Sequence, residues 1–230
     1  MPLQLEARNL TKSFPRAGNT IEVLRDCGFR LEAGEAVAVT GPSGSGKSTL
    51  LNILGGLDSP TSGEVLADGV PLRFDSHREM TAWRSRGVGF VFQFHFLLPD
   101  FTALENLLLP VASRGPIKAA DRSRALGFLA AMGLSPRADH LPGELSGGEQ
   151  QRVAVARSFM NRPGIVLADE PFGNLDREIG GRLGDLLFSL RADEGTSLVI
   201  VTHDPVLAAR ADRVLVLRDH QLEPAEGATA

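Results

Sequence analysis

Gly41-Pro-Ser-Gly-Ser-Gly46-Lys47-Ser48 sets two glycines, a lysine and a hydroxyl residue at the spacing that cradles phosphates. Glycine permits a tight loop whose backbone N–H groups, together with the start of the following helix, face anionic oxygens. Lys47 is then placed to reach a β- and γ-phosphate, and the Ser48 hydroxyl to hold magnesium. That combination describes a nucleoside triphosphate site. The plain alternative is a glycine-rich turn joining a strand to a helix, with Lys47 merely solvated.

Asp169 and Glu170 follow the apolar run Ile165-Val-Leu-Ala168, at the strand end where open α/β sheets place their ligands. Asp169 suits magnesium, and Glu170 could orient or deprotonate an attacking water, which phosphoryl transfer to water requires. Alone, such a pair is also what a solvated strand end looks like. Leu145-Ser-Gly-Gly-Glu149 precedes a helical stretch, so Ser146, Gly147 and Gly148 offer a second helix start able to face phosphate. Taken singly, that run is an ordinary capping box. Two such starts in one chain could enclose one triphosphate between two faces.

These residues need a scaffold of alternating strands and helices. Ala36 to Thr40 is a short buried-type strand feeding the loop, and Ser48 to Leu57 has helical composition. Leu3 to Phe14 and Ile21 to Leu31 look like strands, and Asp68-Gly69 between short apolar runs signals a hairpin, giving the N-terminal part antiparallel character. The middle, from about Ser76 to Pro142, reads as helical, with a capping box at Thr102 and a helix end at Gly133. After it come a helix from Ser146 to about Asn161, the Ile165 strand, a helix capped by Asp176, and strands at Ser197 to Thr202 and Arg213 to Leu217. The expected fold is α/β, a mostly parallel core sheet with an N-terminal antiparallel β subdomain and an inserted helical subdomain at about 95–160. One domain spans 1–222, and Glu223 to Ala230 reads as a frayed tail.

Composition excludes several other classes. At 230 residues with 43% hydrophobic and 23% charged residues, the chain can bury a core without staples. The single cysteine, Cys27, cannot form an internal disulfide and reads as core filler. No apolar run approaches the roughly 20 residues of a membrane helix, and the most tempting window, Gly87 to Leu98, is interrupted by Gln93 and His95. The opening residues show no secretory signal, so a cytoplasmic location is expected, with any membrane role peripheral. A net charge of −4 argues against broad nucleic-acid binding, and no nucleic-acid partner is expected.

With these motifs in view, nearly the whole chain resembles the ABC ATPase family. Gly41 to Ser48 resembles its Walker A loop, Leu145 to Glu149 its signature, and Ile165 to Glu170 its Walker B strand. Gln93 resembles the Q-loop glutamine, Gly173-Asn-Leu-Asp176 the D-loop and His203 the switch histidine, and Phe14 sits where the family stacks an aromatic ring on adenine. The departure is at Phe14, where tyrosine is frequent; this chain has no tyrosine, and the stacking face survives.

The resemblance implies an ATPase using ATP and magnesium. Its catalytic residues would be Glu170, His203, Gln93 and Lys47, and its metal ligands Ser48, Gln93 and Asp169. Cofactor-binding residues would be Phe14, Gly41, Pro42, Ser43, Gly44, Ser45, Gly46, Lys47, Ser48 and Thr49, joined across a head-to-tail dimer by Ser146, Gly147, Gly148 and Glu149. It also implies separate integral membrane subunits and a peripheral position on the cytoplasmic side of the inner membrane. The apolar run Phe92 to Asn106 is either buried against the helical block or a groove for a membrane subunit, with Phe94 and Leu97 as its probes. That run, with Leu54-Gly-Gly-Leu-Asp58 and the Asp169 to Asp176 stretch, is most similar to lipoprotein-releasing ATPase subunits and the related macrolide and peptide exporters. A cell-division ABC ATPase shares the same motifs. A chromosome-maintenance type would need a long heptad insertion, which is absent. A small P-loop kinase would leave Ser146 to Glu149 and His203 without a role.

Overall fold

The computed structural model describes residues 3–16 and 18–225. Two long strands, β1 (Leu3–Arg16) and β2 (Asn19–Glu32), pair antiparallel and are joined by β4 (Ser62–Ala67) and β5 (Val70–Pro71) in the order β2-β1-β4-β5. The turn between β4 and β5 is Asp68-Gly69, with positive φ at both residues, 48° and 77°. Positive φ at both centres is what a two-residue hairpin turn needs to match strand twist, and Asp and Gly tolerate it best.

The second sheet holds β3 (Ala36–Thr40), β6 (Val88–Phe92), β7 (Ile165–Asp169), β8 (Ser197–Val201), β9 (Arg213–Arg218) and β10 (Gln221–Pro224). Its order is β10-β9-β3-β8-β7-β6, parallel throughout except where β10 turns back on β9. β3, β7 and β8 are covered on both faces, so they are nearly continuously apolar. In β3 the strand's two-residue period divides the core: Ala36 and Ala38 pack with the helical block, Val37 and Val39 with the antiparallel sheet.

Among the described residues seven α-helices follow from local signals: α1 (Lys47–Leu54), α2 (His77–Arg86), α3 (Ala103–Ala112), α4 (Ala119–Ala131), α5 (Gly147–Phe159), α6 (Arg177–Glu194) and α7 (Pro205–Ala208). Thr102 and Ser146 close full capping boxes with Glu105 and Glu149, and Asp176 accepts the Ile179 N–H. Gly133, one residue beyond the cap of α4, turns to φ 67°.

Two expectations need correction. The stretch from Ser76 to Pro142 is not helical throughout, because β6 lies inside it and forms the sheet edge against β7. Five apolar residues are too few for periodicity to separate strand from buried helix. Gly89 belongs there for a tertiary reason: a Cβ would lie 2.2 Å from the Ser158 carbonyl oxygen of α5. Nor does a tail begin at Glu223, since Glu223 and Pro224 pair with Val216 and Leu215, a position on an edge strand that proline tolerates. The rest of that expected tail, 226–230, lies outside the described residues.

Candidate active site

The phosphate-loop sequence leaves β3 and enters α1. Gly41 takes φ 138° and lies against β9, where a Cβ would meet the Leu217 carbonyl oxygen at 2.3 Å. Gly46 takes φ 106° as the N-cap of α1, and a Cβ there would meet Val23 of β2 at 2.7 Å. Glycine is therefore required at both ends of the loop, by conformation and by space. With Gly46 as cap, no side chain occupies the N–H groups of the first turn, which remain directed at whatever anion enters. Pro42, Ser43 and Gly44 form the exposed crest, and Ser45 donates its N–H to Pro42 O at 3.2 Å. The buried Lys47 ammonium donates to Gly41 O (3.0 Å) and Pro42 O (2.8 Å), closing the loop on itself.

Asp169 ends β7 beside this loop. One of its carboxylate oxygens, Oδ1, is buried with no hydrogen-bond partner. Burial raises its pKa above the ordinary aspartate value, Ser48 and Lys47 pull it down, and the neighbouring Glu170 charge pushes it up. An orphaned carboxylate oxygen beside a serine hydroxyl at the mouth of a phosphate loop is a donor set that fits a hard divalent cation. Ser45 Oγ is likewise buried without a partner.

Glu170 turns the chain out of β7 at φ 43°, its N–H donating to Val201 O of β8 at 2.9 Å. Its Oε2 stands 2.8 Å from His203 Nδ1 and also accepts the His203 backbone N–H at 3.3 Å. The structure thus pairs two residues 33 positions apart that the sequence offered separately. A hydrogen-bonded carboxylate and imidazole at a strand end can hold a water and accept its proton.

Gln93, just past β6, donates from Nε2 to Asn174 Oδ1 at 2.9 Å, and Asn174 returns a bond to Gln93 O at 3.4 Å. Asn174 stands in the stretch that resembles the D-loop, but its pairing with Gln93 was not legible there, since no local spacing relates positions 81 apart. Two α5 residues were missed. Buried Gln151 donates to Phe92 O and Pro171 O, and Arg157 donates to His95 O and Phe96 O, both at 2.8 Å. Together they fasten α5 to the segments following β6 and β7.

Ser146 accepts the Glu149 N–H at 3.3 Å, and its own N–H and hydroxyl donate to Glu149 Oε2, each at 2.8 Å. Glu149 is thereby turned onto its own helix start, its pKa lowered first by the Ser146 backbone bond. Gly147 lines a small cavity of about 120 Å³ with Gln93 and Asn174. No residue of the phosphate loop lines that cavity. Three strand spacings separate β3 from β6, on which α5 packs, or about 14 Å.

Phe14 is 39% exposed, with the Lys12 ammonium 4.7 Å from its ring centre. It pairs with Ile21, two residues from the Val23 that touches Gly46, so its ring stands on the strand pair flanking the loop. Of the aromatic run, Phe94 and Phe96 are each 61% exposed, with Leu98 and Phe101 beside them. Leu97 instead belongs to the helical-block core and cannot probe a surface groove.

The family model for ABC transporters matches residues 24–173. The chain belongs to the ABC transporter family. This ABC chain is 50% identical over 220 residues to the lipoprotein-releasing system ATP-binding protein LolD of Bordetella pertussis, covering 96% of this chain and 95% of that protein. It is 48% identical over 219 residues to the uncharacterized ABC transporter ATP-binding protein YbbA of Escherichia coli, covering 95% and 96% respectively. Among solved structures it resembles a dimeric ATP-binding cassette in a post-hydrolysis state bound to ADP and Pi. The TM-score is 0.87 at 41% identity, over 97% of this chain and 99% of that one.

Proposed function

We propose that this ABC chain hydrolyses ATP as a head-to-tail dimer and drives separate membrane subunits in releasing lipoproteins, from a peripheral position on the cytoplasmic side of the inner membrane. The observation that carries the dimer is that the phosphate loop follows β3 whereas α5 packs on β6, three strands away in the sheet, and that no phosphate-loop residue lines the cavity at Gly147. A second copy turned head to tail can bring its own Ser146 helix start to the triphosphate held by the first. The dimeric form of the related cassette agrees with this arrangement.

Gly41 to Thr49 wrap the phosphates, and Lys47 exchanges its bonds to Gly41 O and Pro42 O for phosphate oxygens. Ser48, Gln93 and Asp169 would hold magnesium, which when bound neutralises charge on the phosphate oxygens. Glu170, held by His203 at 2.8 Å, orients the attacking water and accepts its proton. Gln93, tied to Asn174, reports the site's state to the segment carrying Phe94 and Phe96. Phe14 stacks on the base. From the other copy, Ser146 and the N–H groups of Gly147 and Gly148 close over the γ-phosphate, while Glu149 keeps that helix start rigid. Contacts from both copies exist only with the triphosphate present, so binding favours the closed dimer and hydrolysis releases it.

Lipoprotein release rests on the LolD relatives, and the exposed phenylalanines supply a surface for the membrane subunit. The test is affinity isolation of tagged Glu170→Gln protein with ATP from gently solubilised membranes, with light scattering of the purified variant. An ATP-dependent dimer holding lipoprotein-releasing membrane subunits is the expected result. A monomer at saturating ATP and magnesium would overturn the dimer. An exporter or cell-division membrane partner would keep the ATPase and overturn the cargo.

A further inference from the structure

A cleft of about 710 Å³ opens between α2, the α3–α4 connection and the end of α5, away from the nucleotide residues. Arg78, Arg86, Arg114, Lys118 and Arg162 line it, and all five are exposed. No hydrogen bond or ion pair engages their side-chain nitrogens among the described residues, although ten other arginines of the chain hold carboxylates. Asp121 is the one carboxylate on the lining, and it accepts the Lys118 backbone N–H at the start of α4. Arg124, at the cleft wall, is already spent on Glu194 at 2.6 Å. In a chain of net charge −4, a cluster of five unpaired cations is a local field of one sign, which attracts anions.

The form of the cleft selects among anions. Between the cations its lining is mostly small residues, Thr81, Ser85, Ser113 and Asn161 with Ala82 and Ala120, and no aromatic side chain lines it as an anchor for a peptide helix would. The α3–α4 connection runs Arg114-Gly-Pro-Ile-Lys118, and Ile117 between its two cations is 46% exposed. An apolar tip flanked by cations suits a bilayer surface, the charges meeting headgroup phosphates and the side chain entering the boundary. Among the described residues no helix is long and apolar enough to cross a membrane, so surface contact of this kind would be direct membrane binding by the chain itself.

We infer that this cationic cleft and the Ile117 tip bind anionic phospholipid headgroups, giving the chain its own hold on the membrane beside that of its membrane subunits. The contact does not depend on the nucleotide residues.

The test is flotation of the purified chain, without membrane subunits, on vesicles of phosphatidylcholine with or without phosphatidylglycerol. Retention is expected only with phosphatidylglycerol, falling steeply as salt rises. Each cation near such a surface contributes roughly fivefold to partitioning, so Arg114→Glu with Lys118→Glu should lower it at least about 25-fold. Ile117→Ser should weaken it without altering charge. ATP hydrolysis and the thermal midpoint, measured on the same samples, should match the parent, which separates failure of this contact from failure of the ATPase reading or of folding. Equal retention on neutral vesicles, no retention, or full retention by the double variant would overturn the inference. So would complete release by millimolar glycerol phosphate at constant ionic strength, which would make the cleft a site for small soluble anions.

Discussion

Replacing Asn106 by leucine should uncouple stability from chemistry. Asn106 is fully buried on α3 and bonds four backbone groups: it accepts Leu98 N–H at 2.9 Å and donates to Leu98 O, Phe101 O and Thr102 O at 3.1, 2.8 and 3.1 Å. Leucine keeps the volume and removes every bond. Two of the four groups keep another partner, since Thr102 O still receives Asn106 N–H and Leu98 O still receives Phe101 N–H. Leu98 N–H and Phe101 O are left without one. At roughly 1–3 kcal/mol for each such group, the loss should be about 3 kcal/mol. For a chain of this size that lowers the thermal midpoint by roughly 6–12 °C. Asn106→Asp should cost more, because a carboxylate would then face carbonyl oxygens. Thermal unfolding followed by circular dichroism reads the shift, and ATP hydrolysis at 25 °C should stay near the parent rate. A loss below about 1 kcal/mol would refute the assignment of Asn106 as the clasp of this loop. A parent-like midpoint with lost hydrolysis would refute its separation from the active site.

Lys47→Ala should abolish ATP hydrolysis, and a parent-like rate in a phosphate-release assay would contradict the phosphate-loop assignment. Gly41→Ala forces a Cβ within 2.3 Å of Leu217 O, so nucleotide affinity should fall at least tenfold, on the order of 1.4 kcal/mol, in a fluorescence titration; unchanged affinity would show that the loop need not lie so close to β9. Asn174→Ala removes both neutral hydrogen bonds to Gln93, together worth about 1–2 kcal/mol, and should slow hydrolysis at least about fivefold with ATP affinity kept. Glu149 has a pKa lowered by its bonds to Ser146 and, more weakly, by Arg137, so its contribution to stability is complete above the unfolded carboxylate value of about 4.3. That contribution is lost as pH falls toward the lower folded value. Denaturant unfolding of parent and Glu149→Gln should therefore differ at pH 7, with the difference shrinking as pH falls below the ordinary carboxylate range, and a constant difference would count against the capping role.

Local chemistry made much of this molecule legible. Asp68-Gly69, Thr102 with Glu105, Ser146 with Glu149, and Asp176 each announce a turn or helix start within four residues, and the structure makes each of them. The strands at Ile165 and Ser197 are apolar on both faces, as a helix-covered parallel sheet requires. The strand β6 was hidden because its identity depends on pairing with β7 and on Gly89 lying against α5. Glu223 and Pro224 looked like a tail because the pairing that orders them comes from β9. At the site, the order of motifs named the residues but not their contacts. Glu170 with His203, and Gln93 with Asn174, meet only because parallel strands carry distant segments to the same sheet edge. Leu97 and Phe96 are adjacent apolar residues, and only packing decides that one is core and the other surface.

Because α5 carries Ser146 at its start, and holds Phe92, His95, Phe96 and Pro171 through Gln151 and Arg157, it works as a stiff strut. Its 13 residues span about 20 Å at 1.5 Å per residue. A lateral push on the exposed phenylalanines is therefore not absorbed by a yielding loop. Under the proposed function it would arrive at the far end of the strut as a displacement of the Ser146 helix start, the element assigned to the neighbouring copy's triphosphate. On that reading, load on a membrane subunit and closure of the nucleotide site would be two readings of one rigid lever.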